Sequence, residues 1–181
     1  MTSCTYTFTE IIKPDWPQRF SAEELARLGI SNSLHVIGMA HGLIGYPASW
    51  HGYRAGRMSW HPAGAMFVGC WISDRGIPFA YHADWGSTGR WSIEVHTATS
   101  SYRLCPLEQV FRKTGPMAEW QPVPVTTFAA DVKPGVLEQV AVMLSPAIRS
   151  LVPLVSLRDA AALARFAEQI FGYQDDQPSD A

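Results

Sequence analysis

The sequence predicts an α+β protein in which helices near both ends of the chain flank a mainly antiparallel β-sheet. Apolar residues recur at helical spacing near the start and in the last third of the chain, whereas strand-like alternation fills the middle. Only short turns separate the middle strands, and parallel strands would need connections of a dozen residues or more. With no internal repeat and no linker, residues 1–173 are expected to form one domain, and the polar tail 174–181 is expected to be disordered.

The first part of the chain predicts one strand and two helices. Residues 4–8 alternate between polar and apolar types, which is typical of a short strand. A capping box that starts at Ser21 predicts a short helix. Ser31 or Asn32 can cap a second helix, whose apolar spacing continues until Gly45.

The middle and end of the chain predict the sheet and two further helices. A helix is expected from Pro134 to Leu144, and the last helix extends from a Ser156 cap to Gly172. The predicted strands cover about 66–71, 77–85, 91–96, 102–105 and 123–128.

Composition excludes several classes of protein. The chain has 14 basic and 16 acidic residues and no basic run, so nucleic acid is not expected as a partner. No stretch approaches 18 consecutive apolar residues, which argues against a membrane span, and residues 1–6 lack the features of a signal peptide. Three widely spaced cysteines fit reduced thiols, so we expect a cytoplasmic protein.

Motifs for cofactor, metal and covalent chemistry are missing from the sequence. The glycines at 38, 42 and 45 do not form G-x-G-x-x-G, and there is no phosphate-binding G-x-x-x-x-G-K-[ST]. The six histidines show no metal-ligand spacing, and the pair Glu94 and His96 is more often hydrogen-bonded than metal-binding. No serine lies in G-x-S-x-G, and Cys70 and Cys105 are both expected to be buried, inert thiols. We therefore expect this chain alone to bind no cofactor and no metal.

General acid–base chemistry has one candidate, His35. It lies near the start of a predicted helix, where the positive helix end favours a neutral imidazole that can exchange a proton near pH 7. Asn32 lies about one helical turn earlier, so both side chains can reach the same opening. The alternative interpretation is a helix-capping Asn32 beside a structural His35.

Aromatic residues interleaved with polar ones suggest a carbohydrate site. Sugar rings stack their C–H faces on aromatic side chains, and their hydroxyls need forked donors and acceptors. A tryptophan-rich sheet face packed on helices or on a partner subunit is the alternative. The candidate substrate-binding residues are Asn32, His61, Tyr81, His82, Trp85, Arg90 and Trp91.

A series of short motifs resembles one family of two-domain enzymes. In order they are Asn32-Ser33-Leu34-His35-Val36-Ile37, Leu43-Ile44-Gly45, Gly89-Arg90-Trp91-Ser92-Ile93-Glu94, Pro106-Leu107-Glu108, and Leu157-Arg158-Asp159-Ala160 through Ile170-Phe171-Gly172. The sequence is similar to the C-terminal domain of Gfo/Idh/MocA oxidoreductases, above all to members that act on nucleotide-linked sugars. The resemblance covers residues 6–172.

The resemblance implies an open sheet with helices packed on one face. In the family, this domain binds the sugar and its free sheet face often forms the subunit interface, while an N-terminal Rossmann domain binds NAD(P) and supplies a catalytic lysine. The family's acid–base histidine corresponds to His35. Family carboxylates four residues before and three residues after that histidine are replaced here by Ser31 and Gly38, and both changes remove negative charge beside His35.

Three hypotheses about function follow. The first is an oxidoreductase-type domain that binds a sugar or nucleotide-sugar, forms homo-oligomers through its sheet, and is redox-active only with a separate nucleotide-binding (Rossmann) partner. The second is a non-catalytic carbohydrate-binding or scaffold protein derived from that fold. The third is a cofactor-free isomerase or lyase that uses His35 with Tyr81 or His82 as an acid–base pair.

Overall fold

A computed structural model describes residues 1–47, 49–61, 64–125, 132–152 and 154–173. Its described residues form one eight-stranded sheet with helices. The strands are β1 (Ser3–Thr7), β2 (His51–Ala55), β3 (Met66–Ile72), β4 (Pro78–Asp84), β5 (Ser92–His96), β6 (Ser101–Leu104), β7 (Val110–Lys113) and β8 (Gln121–Val123).

The sheet is open, and its first strand lies near the middle. The spatial order is β2-β3-β4-β1-β5-β6-β7-β8, so β1 separates the β2–β4 meander from the β5–β8 meander. β1 pairs in parallel with β4, and every other described pair is antiparallel. The predicted α+β class with an open, mainly antiparallel sheet is confirmed.

The helices contribute one packed layer and one largely exposed pair. A π-helix over Gly29–Ser33 leads directly into α3, and α3 contacts β1, β5 and α6, while α6 also contacts β2. α4 and α5 contact each other and remain largely exposed. The α-helices are α1 (Trp16–Arg19), α2 (Ala22–Ala26), α3 (Leu34–Ile44), α4 (Val136–Leu144), α5 (Pro146–Leu151) and α6 (Leu157–Phe171).

The core fills the space between α3, α6 and one face of the sheet. Alternate residues of β1, β3, β4 and β5 point into it, as the period of two predicts. The core is unusually aromatic: Trp85 stacks on Trp60 with ring centroids 6.1 Å apart, and Phe171 packs edge-on against Phe67 at 5.0 Å. Many of the aromatic residues of the chain therefore pack in the core.

The opposite, open face of the sheet exposes several apolar side chains. On β2 and β3, Tyr53 is 75% exposed and its cross-strand partner Val68 is 51% exposed. Met66 and Ile72 extend this patch. At the far end of the sheet, the Trp120 ring contacts Arg103 and Lys113, whose strand positions place them on the same face. Cys70 lies on the same face and is exposed, and Cys105 is half-buried, contrary to the expectation of two buried thiols.

Several elements differ from the sequence prediction. The strands β2 and β7 and the short helices α1 and α5 were not predicted, because each has four to six residues and little or no buried apolar alternation. The predicted last strand over 123–128 corresponds to β8, which starts at 121, and residues 126–128 lie outside the described part of the chain. The predicted tail 174–181 also lies outside it.

Candidate functional site

A cleft of about 700 Å³ opens at the end of the sheet where β1 ends, β5 begins and β6 ends. The antiparallel order of β1, β5 and β6 brings these three strand termini to the same end of the sheet. The π-helix closes one side of the cleft. Its main lining residues are Glu10, Asn32, Arg90, Trp91, Leu107 and Glu108.

Close contacts between segments distant in the sequence fix the chain on both sides of this cleft. The Thr9 hydroxyl accepts a hydrogen bond from the Asp84 backbone N–H at 3.1 Å and holds the segment just before Glu10 against β4. Across the cleft, Gly89 approaches Thr9 so closely that a Cβ at position 89 would lie 2.9 Å from Thr9 Cγ2. The close approach of the two walls therefore depends on a residue without a side chain.

Glu10 is the most perturbed acid in this region. The Asn32 side-chain amide donates a hydrogen bond of 2.9 Å to Glu10 Oε1. Burial raises the pKa of the Glu10 carboxyl from 4.5 to about 7, and an interaction with Trp91 lowers it in part. The Trp91 indole N–H is buried and has no partner at ordinary hydrogen-bond geometry among the described residues. An acid with this pKa exchanges its proton near neutral pH.

His35 lies beside the cleft, on the first turn of α3. Its ring is exposed, and its centroid lies 6.3 Å from that of Trp91. The expected capping arrangement is wrong, because the π-helix Gly29–Ser33 precedes α3 without a break and the Asn32 side chain bonds to Glu10. Since the helical backbone continues upstream, His35 does not lie at a free positive helix end.

Three of the predicted substrate-binding residues line the cleft together: Asn32, Arg90 and Trp91. Three others lie in the protein core: His61, Tyr81 and Trp85. The last three are between 2% and 4% exposed and belong to the aromatic core. His61 bonds to the Gly64 carbonyl at 2.9 Å and to Tyr173 Oη at 2.9 Å. Because the core encloses their side chains, these residues do not line the cleft.

His82 is exposed, but it lies on the open face of the sheet, opposite α3. Its neighbour Tyr81 points into the core, where it contacts Tyr6 and Phe8. Alternation along β4 therefore separates both residues from His35. The acid–base pair of the third hypothesis does not fit this arrangement.

The two positions that lack the family's carboxylates have local structural roles. Gly38 faces α6, where a Cβ would lie 2.8 Å from Leu163 Cδ2. The Ser31 hydroxyl donates to the Leu28 carbonyl at 3.3 Å. The carboxyl of this region comes instead from Glu10, in the segment that follows β1. Sequence reasoning missed Glu10, because an isolated glutamate after a short strand carries no motif.

The described residues offer no cradle for a dinucleotide. Their one parallel strand pair joins β1 to β4, and no glycine-rich turn leads from a parallel strand into a helix there. Within the same residues, no group of three or more potential metal ligands occurs. His96 Nε2 lies 3.8 Å from Glu94 Oε1, which is too far for a hydrogen bond, and His96 Nδ1 bonds instead to the Ser101 hydroxyl at 2.8 Å. No helix in this part of the chain is long and apolar enough to cross a membrane.

No protein-family model and no curated protein sequence matches this chain significantly. Solved structures match it in fold. A dehydrogenase (MviM) from Clostridium difficile aligns with a TM-score of 0.64 and 12% identity over 95% of this chain and 54% of its own. Levoglucosan dehydrogenase in complex with NADH aligns with a TM-score of 0.59 and 15% identity over 94% and 55% of the two chains.

A third match is UDP-N-acetylglucosamine 3-dehydrogenase GnnA from Acidithiobacillus ferrooxidans, with a TM-score of 0.58 and 12% identity over 93% and 51% of the two chains. This chain spans about half the length of each of these oxidoreductases. At such low identity the likeness shows the fold alone.

Proposed function

We propose that this domain binds a sugar or nucleotide-sugar in the cleft around Glu10 and serves as the substrate-binding part of an oxidoreductase. The observation that carries the proposal is the cleft itself, which places the Trp91 ring beside the Asn32 amide, the Arg90 guanidinium and a carboxyl. An aromatic face suits the C–H surface of a sugar ring, and the polar groups suit its hydroxyls. The fold shared with two sugar-acting dehydrogenases supports the same ligand class.

Calorimetric titration with UDP-N-acetylglucosamine and with levoglucosan tests this proposal. We expect at least one of them to bind, and we expect Arg90→Ala and Trp91→Ala each to weaken binding at least tenfold. Arg158→Ala is the matched control, because Arg158 is an equally exposed arginine on the first turn of α6. Failure of both sugars to bind the wild type contradicts the proposal.

Redox activity requires a nicotinamide from outside the described residues, which provide no dinucleotide cradle. We propose that a separate nucleotide-binding chain supplies NAD(P) over the cleft, with His35 and Glu10 as the candidate proton-exchanging groups. The test is sugar-dependent reduction of NAD(P)+ by this chain together with a Rossmann-type protein encoded beside it. Reduction by that protein alone, at an unchanged rate, contradicts this assignment.

The open sheet face is proposed to form a homodimer. Tyr53, Val68, Met66 and Ile72 give one side of this face a continuous apolar surface, which is unfavourable on a monomer. A second copy can cover it with the same surface, because a two-fold interface is self-complementary. Farther along the open face, on β5 and β6, Glu94 lies opposite Arg103, and this mixture of charges suits self-pairing better than a partner of one charge.

Light scattering at micromolar concentration tests the dimer. We expect a dimer for the wild type and a monomer for Val68→Lys, whose charge would be buried at the centre of the interface. Leu157→Lys, at an 88% exposed residue of α6, is the control and should remain dimeric. A monomeric wild type contradicts the proposal.

The second candidate is a non-catalytic sugar-binding protein. The observation that favours it is the absence of a carboxylate at Ser31 and Gly38, which leaves His35 without an oriented acidic neighbour on its own helix. Sugar binding without nicotinamide reduction in the presence of the partner protein would favour this candidate.

A further inference from the structure

We propose that Glu10 is the group through which the cleft exchanges a proton with solvent when a hydroxyl-bearing ligand binds. The ionised Glu10 carboxylate accepts hydrogen bonds from ligand hydroxyls through both of its oxygens, whereas the protonated acid gives up part of that acceptor capacity, so ligand binding favours loss of the proton. In this step the O–H bond of the carboxylic acid breaks, water takes the proton, and the ligand hydroxyl keeps its own hydrogen. The inference rests on the proposed function and names the residue that makes ligand affinity depend on pH.

The geometry leaves Glu10 with unused acceptor capacity. Among the described residues, Asn32 makes the one hydrogen bond of ordinary geometry to this carboxyl. A carboxylate can accept about four hydrogen bonds. Glu10 lines the cleft, so a ligand there can supply the missing donors. Asn32 fixes one oxygen and thereby orients the carboxyl for this contact.

The charges around Glu10 do not compensate its ionisation. Arg90 and Glu108 lie on the cleft walls and His35 lies on α3, but no described residue forms an ion pair with Glu10. Beyond Asn32, the adjacent groove along α2 is lined by Glu23, Glu24 and Arg27. Burial without a counter-charge raises the pKa of Glu10 to about 7. Hydroxyl donors favour the ionised form, so a bound sugar should lower that pKa.

Calorimetric titration of UDP-N-acetylglucosamine or levoglucosan between pH 5.5 and 8.5 tests the inference. Below pH 7, we expect the affinity of the wild type to fall by up to about tenfold per pH unit, because deprotonation and binding are linked. Buffers of different ionisation enthalpy should reveal a released proton. Glu10→Gln should bind with the same affinity at every pH and release none.

Two matched variants separate Glu10 from its neighbours. Glu108→Gln removes the other carboxyl of the cleft, and His35→Gln removes the nearby imidazole. Both should keep the pH dependence of binding. Persistence of that dependence in Glu10→Gln, or its loss in either control, overturns the inference.

The outcome also separates this inference from the proposed function. A sugar that binds with a pH-independent affinity supports the proposed function and overturns the inference alone. If neither sugar binds at any pH, both fail together.

Discussion

The side-chain amide of Asn32 donates a 2.9 Å hydrogen bond to the carboxyl of Glu10, 22 positions earlier in the chain. The bond ties the segment after β1 to the π-helix before α3. A neutral amide, rather than a cation, is therefore the partner of a half-buried acid. An ionised carboxylate in such a place costs free energy, so Glu10 lowers the stability of the domain at neutral and alkaline pH.

Glu10→Gln should stabilise the protein above pH 7. The unfolded carboxyl has a pKa near 4.5 and the folded one near 7, so the folded state holds the proton more strongly. This contribution to stability is complete below pH 4.5 and is lost as the pH rises through 7. Allowing for partial exposure, we expect the variant to gain about 1–2 kcal/mol in unfolding free energy at pH 8 and little at pH 4.5.

Urea unfolding at the two pH values measures this gain. Glu108→Gln serves as the control and should show no comparable difference between them. An equal effect of Glu10→Gln at both pH values contradicts the prediction.

His61 should make the fold sensitive to acid. Burial lowers the pKa of its imidazole to about 4, while its two ring nitrogens bond to Gly64 and Tyr173. The folded state therefore prefers the neutral imidazole. The unfolding free energy should fall by about 2–3 kcal/mol as the pH drops from 6.5 toward 4. Buried His41, whose pKa burial also lowers, acts in the same direction.

Unfolding free energies measured between pH 4 and 7 test this sensitivity. His61→Gln should be less stable than the wild type at pH 7 and should lose less stability on acidification. A wild-type stability that is flat over this range would be inconsistent with a neutral, buried His61.

Replacing each of two glycines in the helices with alanine should change the stability of the fold in opposite directions. A Cβ at Gly29 would lie 2.5 Å from the ring of Phe171, which is fully buried and cannot move aside. Gly29→Ala should therefore destabilise the fold by about 1–3 kcal/mol. A Cβ at Gly42 meets nothing within 4 Å, and Gly42 lies inside α3, so Gly42→Ala should stabilise it by about 0.5–1 kcal/mol.

Thermal unfolding monitored by circular dichroism distinguishes these two changes, since the midpoint should fall for one variant and rise for the other. A fall for Gly42→Ala would show that position 42 is packed more tightly than the structure describes.

Trp85 should be a stability residue. It is 2% exposed and stacks on Trp60 and Phe171 while contacting His61 edge-on. Trp85→Ala leaves a large cavity and should cost about 3–5 kcal/mol in urea unfolding. Trp120→Ala is the control, since that partly exposed ring mainly contacts Arg103 and Lys113, at 4.6 and 5.0 Å, and should cost about 1 kcal/mol. Equal losses would contradict these placements.

The sequence patterns predicted the fold better than the site. Alternation, helical spacing and capping residues are local signals, and they located β1, β3–β6, α2, α4 and α6 close to their observed positions. Whether an aromatic residue faces the core or a cleft depends on the tertiary arrangement, so Trp85 and Trp91, six positions apart, could not be told apart. Glu10 and Asn32 meet only because the sheet order brings the end of β1 beside the π-helix.

Because β1 lies between β4 and β5, the first few residues of the chain join the two halves of the sheet. A chain without them would retain two meanders, and the edges of β4 and β5 would both be unpaired. Unpaired edges bind other strands, which leads to aggregation. Together the same two edges can bind one extended peptide between them. A synthetic peptide with the sequence of residues 1–9, added in trans, should therefore restore the solubility of a chain that lacks these residues. In this fold, fragment complementation and aggregation would compete for the same hydrogen-bonding groups.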